Sequence, residues 1–311
     1  MKTTCIVRLL LLLIWGLLIS CQNHSTTPDN EFNVTVDEPR LSGQRVVFDQ
    51  GHKNHHQIGR TYKPFANLLR NDGCNVESTD KPIDTSVLST ADIFIIPTAM
   101  GEEEPGEKSP FTDNEIKSLE EWVRNGGSIL LVTEHYPFGL AMEPLLTRFG
   151  VKVHNGYTED STMTNKEVID ALLFDKSKGQ LSNSHPITST INRVNTFTGS
   201  AIKGDSTWTR LLILSDNAQN YNVDVKVERD GGDIRVNVSY ADFYPGRDYS
   251  QGLCKNYGQG KIVVLSESAL LTAQIDKNGN KFGMNISDTD NKEFALNIIR
   301  WLANKGAGNN L

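Results

Sequence analysis

Residues 112–133 read TDNEIKSLEEWVRNGGSILLVT, and residues 91–97 ahead of them read ADIFIIP. In the longer stretch Thr112, Asp113 and Glu115 supply a helix start. Ile116, Leu119, Trp122 and Val123 then recur on one helical face, and Gly126 with Gly127 ends the helix. SILLVT at 128–133 and ADIFIIP are short continuous apolar runs, the pattern of strands buried on both faces of a parallel sheet. Strand, helix and strand in that order predict a crossover unit of an α/β domain.

The same alternation continues outward in both directions. QRVVFD at 44–49 reads as a strand and YKPFANLLRN at 62–71 as a helix stopped by Asp72 and Gly73, with a short strand at 74–77. Residues 140–149 form a further helix closed by Gly150, and KIVVLS at 261–266 with KEFALNIIRWLAN at 292–304 supply a last strand and helix. The middle differs in character. Residues 207–215, and the pair 223–228 and 234–240 joined by RDGGD, read as antiparallel strands and a hairpin. The expected fold is therefore α/β, a doubly wound, mostly parallel sheet over residues 41–304, with a β-rich insertion at about 155–258 and a C-terminal tail at 305–311.

Composition narrows the class. The 311 residues carry 31 Lys and Arg against 38 Asp and Glu, a net charge of -7, with no basic block that would track a phosphate backbone, so no nucleic-acid partner is expected. Four Cys are too few for a disulfide scaffold in a chain of this length. Lys2 and Arg8 precede an apolar run at 9–19, too short for a comfortable membrane span, that meets Ser20 and Cys21. This is the pattern of a secretory signal over residues 1–20, and Leu18, Ile19, Ser20 and Cys21 resemble a bacterial lipobox, which implies acylation of Cys21. Cleavage removes two positive charges and leaves an acidic chain held to the membrane by its lipid. Residues 21–40 are polar and lack periodicity, as in a flexible tether. Gln22, which is not Asp, favours outer-membrane sorting, so the expected location is the bacterial cell envelope. Cys74 and Cys254 remain in the mature chain, either as single thiols or as a pair.

In open α/β sheets ligands bind beyond the carboxyl ends of the strands. Those positions are polar here: Asp49, Gln50, His52, Asn54, His55 and His56 after the first strand, Glu134 and His135 after the fourth, Glu267 and Ser268 after the last. Asp49, Gln50, His52, Asn54, Glu134, His135 and Glu267 are the candidate ligand-binding set. Three chemistries compete for them. Asp49, His52 and His135 are donors suited to a divalent metal, though no H-E-x-x-H signature is present. His52 or His135 with Glu134 or Glu267 suits acid/base catalysis, which makes these four the candidate catalytic residues. Capping and turn roles account for the same residues with no ligand at all. The Glu-rich stretch at 101–107 reads as a solvated loop.

VVFDQGH, PFANLLRNDG, ADIFIIPTAMGE, FTDNEIKSLEEWVRNGGSILLVTEHYPFG, GQGKIVVLSESALLTAQ, GMN and FALNIIRWL together resemble an uncharacterised bacterial family with a class I glutamine amidotransferase-like fold, over residues 43–153 and 258–304. The resemblance implies a flavodoxin-like sheet. Relatives of that fold include true amidotransferases, sugar-associated domains, and domains of gliding-motility and intraflagellar-transport proteins that only bind. Active amidotransferases place a nucleophilic Cys in a Gly-x-Cys-x-Gly turn where this chain reads TEHYP at 133–137. A Cys-dependent glutaminase is therefore not expected. The expected function is an envelope lipoprotein that binds a small polar or carbohydrate-like ligand or an envelope protein. A metal-dependent or acid/base hydrolase built on the same cluster is the alternative.

Overall fold

A computed structural model describes residues 26–100, 109–136, 138–163, 171–230 and 233–304. Cys21, the signal segment and the Glu-rich stretch lie outside the described residues. The main sheet has nine strands: β1 (Arg45–Asp49), β2 (Asn75–Thr79), β3 (Ile93–Pro97), β4 (Ser128–Val132), β5 (Val151–Val153), β6 (Ile202–Gly204), β7 (Thr209–Ile213), β8 (Ser250–Tyr257) and β9 (Gly260–Leu265). Their order is β2-β1-β3-β4-β9-β8-β6-β5, and β7 also pairs with β8. The pairings β1/β2, β1/β3, β3/β4 and β4/β9 are parallel, whereas β8/β9, β6/β8 and β5/β6 are antiparallel. The protein is thus a mixed α/β fold whose sheet is parallel on one side and antiparallel on the other.

Strand periodicity divides the core in two. Ile93 and Ile95 enter one cluster with Val46, Phe48, Leu130 and Val263, while Phe94 and Ile96 enter the other with Val47, Leu131 and Val264. Helices α1 (Lys63–Asn71) and α5 (Asn291–Ala303) cover the first cluster through Phe65, Leu68, Leu69, Phe294 and Ile298. Helices α2 (Thr85–Leu88), α3 (Asp113–Arg124) and α4 (Glu143–Arg148) cover the second through Val87, Ile116, Leu119, Val123 and Leu145. Each such side chain, fully buried, contributes about 1.5 to 3 kcal/mol.

Helix α3 begins as its spacing predicts. Thr112 Oγ1 accepts from the Glu115 amide at 3.3 Å, and Glu115 Oε2 accepts from the Thr112 amide at 2.8 Å, a reciprocal capping box. Gly127 has to be glycine, because a Cβ there would stand 2.3 Å from the Trp122 ring. The region expected as helix at 140–149 instead opens with a 3₁₀ turn, Gly139–Met142, before α4, and Pro144 at the start of α4 suits a first helical turn. Helix α2 has no counterpart in the sequence reading. Asp84 caps it by accepting from the Ser86 and Val87 amides, but four residues carry too little periodicity to show.

Between Val153 and Gly260 the described residues form strands and 3₁₀ turns. The hairpin is longer than its periodic core suggested, with Gln219–Asp230 against Asp233–Pro245 and, on the outer side, Gly156–Glu159. Leu172–Asp175 and Arg193–Thr196 form a separate pair.

The structure departs from the expectation of a free tether through residue 40. Thr27–Pro28 pairs antiparallel with Ala273–Ile275, which pairs in turn with Lys281–Gly283. Asp29 is buried and accepts from Asn285 Nδ2 at 2.9 Å, Phe32, Val34 and Val36 pack against the core, and Lys292 Nζ donates to the carbonyls of Asn33 and Thr35. Backbone pairing and spaced apolar contacts hold this segment, and neither requires an amphipathic repeat.

Candidate functional site

The loops after β1, β3, β4 and β9 meet at one rim, where the polar residues separate into two side-chain networks. The first belongs to β1. Asp49 is fully buried; its Oδ1 pairs with His52 Nδ1 at 2.8 Å and accepts from the Gly51 amide at 3.1 Å, and its Oδ2 accepts from Asn54 Nδ2 at 2.9 Å. Asn54 Oδ1 accepts from the His52 amide at 3.1 Å, and Gln50 Oε1 accepts from the Ile58 amide at 3.2 Å. His52 Nε2 reaches Glu115 Oε1 at 3.1 Å, across 63 residues of sequence, while its ring lies against Phe111 at 4.7 Å. Glu115 Oε1 also accepts from the Ile83 amide at 3.0 Å. Burial alone would pull the His52 pKa down, but the flanking Asp49 and Glu115 carboxylates raise it above the ordinary value. Burial would raise the Glu115 carboxyl, but its Thr112, Ile83 and His52 donors outweigh that and lower it.

The second network joins β4, β9 and the loop ahead of α1. Glu134 Oε1 accepts from the His135 amide at 2.9 Å, and Oε2 accepts from the Ser268 amide at 2.9 Å and from the Ser268 hydroxyl. His56 Nε2 lies 2.8 Å from Ser268 Oγ, its Nδ1 lies 2.7 Å from Thr61 Oγ1, and Tyr62 stacks on its ring at 4.5 Å while donating to the Ser268 carbonyl at 3.0 Å. Hydroxyl, imidazole and hydroxyl thus form a chain ending on the Glu134 carboxylate. Burial, with His55 beside it, holds the His56 pKa well below its usual value, and burial, with Glu267 and Glu134 near, holds Tyr62 well above. Glu267 is buried, with Oε1 accepting from the Ala269 amide at 2.7 Å and Oε2 from the Leu270 amide at 2.9 Å. Burial and then the Glu134 charge hold its carboxyl well above the usual carboxylate range.

Of the candidate set, the structure brings Asp49, His52 and Asn54 into the first network and Glu134 into the second, with Glu267 beside it. Glu115, His56, Thr61, Tyr62 and Ser268 complete them. The position of Glu115 in sequence marks it as a capping residue; its second role shows only when Ile83 and His52 arrive from distant segments. Both ring nitrogens of His52 are engaged by carboxylates, and His135 lies with the other network, so Asp49, His52 and His135 do not form a metal donor set. Among the described residues no three His, Cys, Asp or Glu side chains gather in a way that would hold a metal ion.

More accessible groups complete the rim. His55 is exposed, His135 keeps a quarter of its side-chain surface open, and Phe138 faces both rings, at 5.4 Å from His55 and 6.0 Å from His135. His135 Nε2 stands 3.8 Å from Glu134 Oε1. Across the rim Phe197 stacks on Phe282 at 4.9 Å. Thr98, at the end of β3, is fully buried with φ at 38°, its amide donates to Val132, and its carbonyl accepts from the His55 amide. A β-branched residue in that region is strained, and strain of this kind gathers at functional sites.

The two thiols stand elsewhere. Cys74 and Cys254 are free and buried, and burial pushes each thiol up to about 12. His185 lies 3.4 Å from Cys254 Sγ, but so high a thiol pKa leaves almost no thiolate. Native protein should accordingly leave both cysteines unmodified by a thiol reagent at pH 8 over the minutes in which the denatured chain reacts fully. Rapid labelling of the folded protein would contradict this.

Neither a family model nor a curated protein matches the chain. Solved structures do. The mmIFT52 N-terminal domain matches at 15% identity with a TM-score of 0.58, covering 83% of this chain and 97% of that one. A putative ThuA-like protein from Bacteroides uniformis matches at 14% identity with a TM-score of 0.47, covering 90% of this chain and 97% of that one. A cytoplasmic protein from Salmonella typhimurium matches at 10% identity with a TM-score of 0.48, covering 83% and 98%. Likeness at such identity concerns the fold alone, and the first of these matches supports an α/β architecture of this type.

Proposed function

We propose that the chain is a bacterial envelope lipoprotein, anchored through Cys21 and sorted to the outer membrane. Its doubly wound, class I glutamine amidotransferase-like domain lacks the glutaminase nucleophile and binds a small polar or carbohydrate-like ligand at the rim. One observation carries the binding reading: the open His55, Phe138 and His135 rings stand beside the buried Glu134 carboxylate. Aromatic faces take the apolar faces of a sugar while imidazole nitrogens take its hydroxyls. The rim site is then a platform, and the two buried networks hold its loops in place.

A second reading, an acid/base hydrolase, is favoured by Ser268 Oγ lying between His56 Nε2 and the Glu134 carboxylate. Its weakness is access, since Ser268, His56 and Glu134 are all buried. Metal-dependent hydrolysis has less support, because the His52 nitrogens are already held by Asp49 and Glu115.

Titration of mono- and disaccharides into labelled protein, followed by NMR, separates the readings. Binding predicts saturable shifts of the His55, His135 and Phe138 resonances, weakened about tenfold by Phe138→Ala with the fold intact. A ligand that binds equally well to that variant, or no saturable ligand in the panel, removes the platform. Turnover lost in Ser268→Ala would favour the hydrolase instead.

A further inference from the structure

His52 joins segments that are far apart in sequence. Both of its ring nitrogens face carboxylates, Nδ1 towards Asp49 Oδ1 at 2.8 Å and Nε2 towards Glu115 Oε1 at 3.1 Å. Among the described residues these are the titratable groups that act on it, Asp49 from the end of β1 and Glu115 from α3. Phe111 lies along the ring, and the loop ahead of α2 reaches the same Glu115 oxygen through the Ile83 amide. All three members of the group are buried.

Imidazole chemistry sets what this arrangement does. A charged ring donates from both nitrogens and satisfies both carboxylates at once. A neutral ring carries one N–H, so its other nitrogen presents a lone pair to a carboxylate oxygen, a repulsive contact in a buried setting. One of the two pairs therefore opens when the proton leaves. Asp49 is fully buried, lies three residues from His52 in the same loop and keeps two other donors, the Gly51 amide and Asn54 Nδ2. Glu115 keeps three, the Ile83 amide and the Thr112 amide and hydroxyl, and belongs to a separate element. The pair with Glu115 is the one that yields.

That pair holds the loop that carries the rim. Asn54 Oδ1 accepts from the His52 amide, and Asn54 bridges to Ala99. His55, next in the chain, donates its amide to the Thr98 carbonyl at 3.0 Å and turns its ring towards Phe138. His56 then enters the Ser268 network. Residues 49–56 thus connect the contact with α3 to the open rings.

We propose that His52 is a proton-operated latch: the charged ring ties the loop of residues 49–56 to α3 and holds His55 in its rim position, and loss of the proton frees the loop from α3. The latch does not depend on what the rim binds. Burial pulls the His52 pKa down, but Asp49 and then Glu115 outweigh it, so the latch is closed below about 6.5 and opens as pH rises through the higher folded value. Burial lowers His55 and His56 instead, which keeps their titrations below that of His52.

The test is a titration of the ligand-free protein from about pH 5 to about pH 9, followed by histidine ring NMR and by amide hydrogen exchange corrected for its intrinsic pH dependence. The His55 ring should move in two steps, one at its own lowered pKa and one where His52 titrates, and exchange of the His55 amide should quicken about tenfold across the second. Neutral His52 should keep its proton on Nδ1. His52→Gln should abolish the second step. Glu115→Gln supplies an amide that accepts from the charged ring or donates to the neutral one, so His52 should titrate about one pH unit lower while the change in His55 exchange disappears. A single His55 step, a second step that survives in His52→Gln, neutral His52 protonated on Nε2, or an exchange change of full size in Glu115→Gln would each overturn the latch.

Discussion

Replacing Glu115 by alanine should lower the unfolding free energy by about 3 to 4 kcal/mol, among the largest effects available at a single polar position in this protein. One side chain serves four donors. Thr112 contributes its amide and hydroxyl, Ile83 its amide and His52 its ring N–H, so truncation frays the start of α3, releases the loop ahead of α2 and leaves His52 half-paired in a buried setting. Lys117→Ala, which removes an exposed pair with Glu121 at 3.9 Å, is the control and should cost less than about 0.5 kcal/mol. Chemical denaturation of both variants checks the contrast; equal losses would mean that the buried network adds nothing. The pH dependence carries its own sign. Because the folded pKa of His52 is raised, its contribution is fully present below the unfolded value of about 6.5 and is lost as pH rises through the higher folded value. Glu115, lowered on folding, contributes above its unfolded value of about 4.3, and that contribution disappears as pH falls through the folded one. His52→Ala should therefore flatten the alkaline arm of the stability profile.

Glu134→Ala should cost about 3 kcal/mol through a different balance. The Ser268 amide, the Ser268 hydroxyl and the His135 amide lose their acceptor. At the same time the repulsion felt by Glu267 is relieved, so its carboxyl should titrate closer to the ordinary range, which carboxyl-carbon NMR reads directly. A variant of unchanged stability, or an unmoved Glu267 titration, would show that the two carboxylates do not sense one another. The same experiment bears on the hydrolase reading, which needs Glu134 as the terminus of the Ser268 hydrogen-bond chain.

These networks also mark where sequence legibility stopped. The parallel half of the sheet was readable because its strands are uninterrupted apolar runs and its helices carry caps and glycine stops, all local signals. Asp49, His52 and Asn54 were identifiable as one group because they lie in a single loop. Ser268, which joins the two, lies 212 residues from His56 and 134 from Glu134, so neither of these contacts leaves a mark in any short window. Ser268 reads in sequence as one polar residue after a strand, because the neighbours that give it meaning, His56 and Glu134, come from other strand ends. His135 and Glu267, grouped with His52 by loop position, are associated with Glu134 instead, since each strand end points its polar groups at its own neighbours.

The docking of Thr26 and the residues after it shortens the stretch of chain between Cys21 and the folded domain. From Cys21 to Thr26 there are five residue steps, at most about 18 Å of extended chain, where a free tether through residue 40 would have allowed several times that. On the lipoprotein reading, the domain is then moored at short range by one edge, the small sheet of Thr27–Pro28, Ala273–Ile275 and Lys281–Gly283. That sheet follows directly in sequence from Glu267 and Ser268. On that same reading the berth, not the chain behind it, decides which side of the protein faces the bilayer.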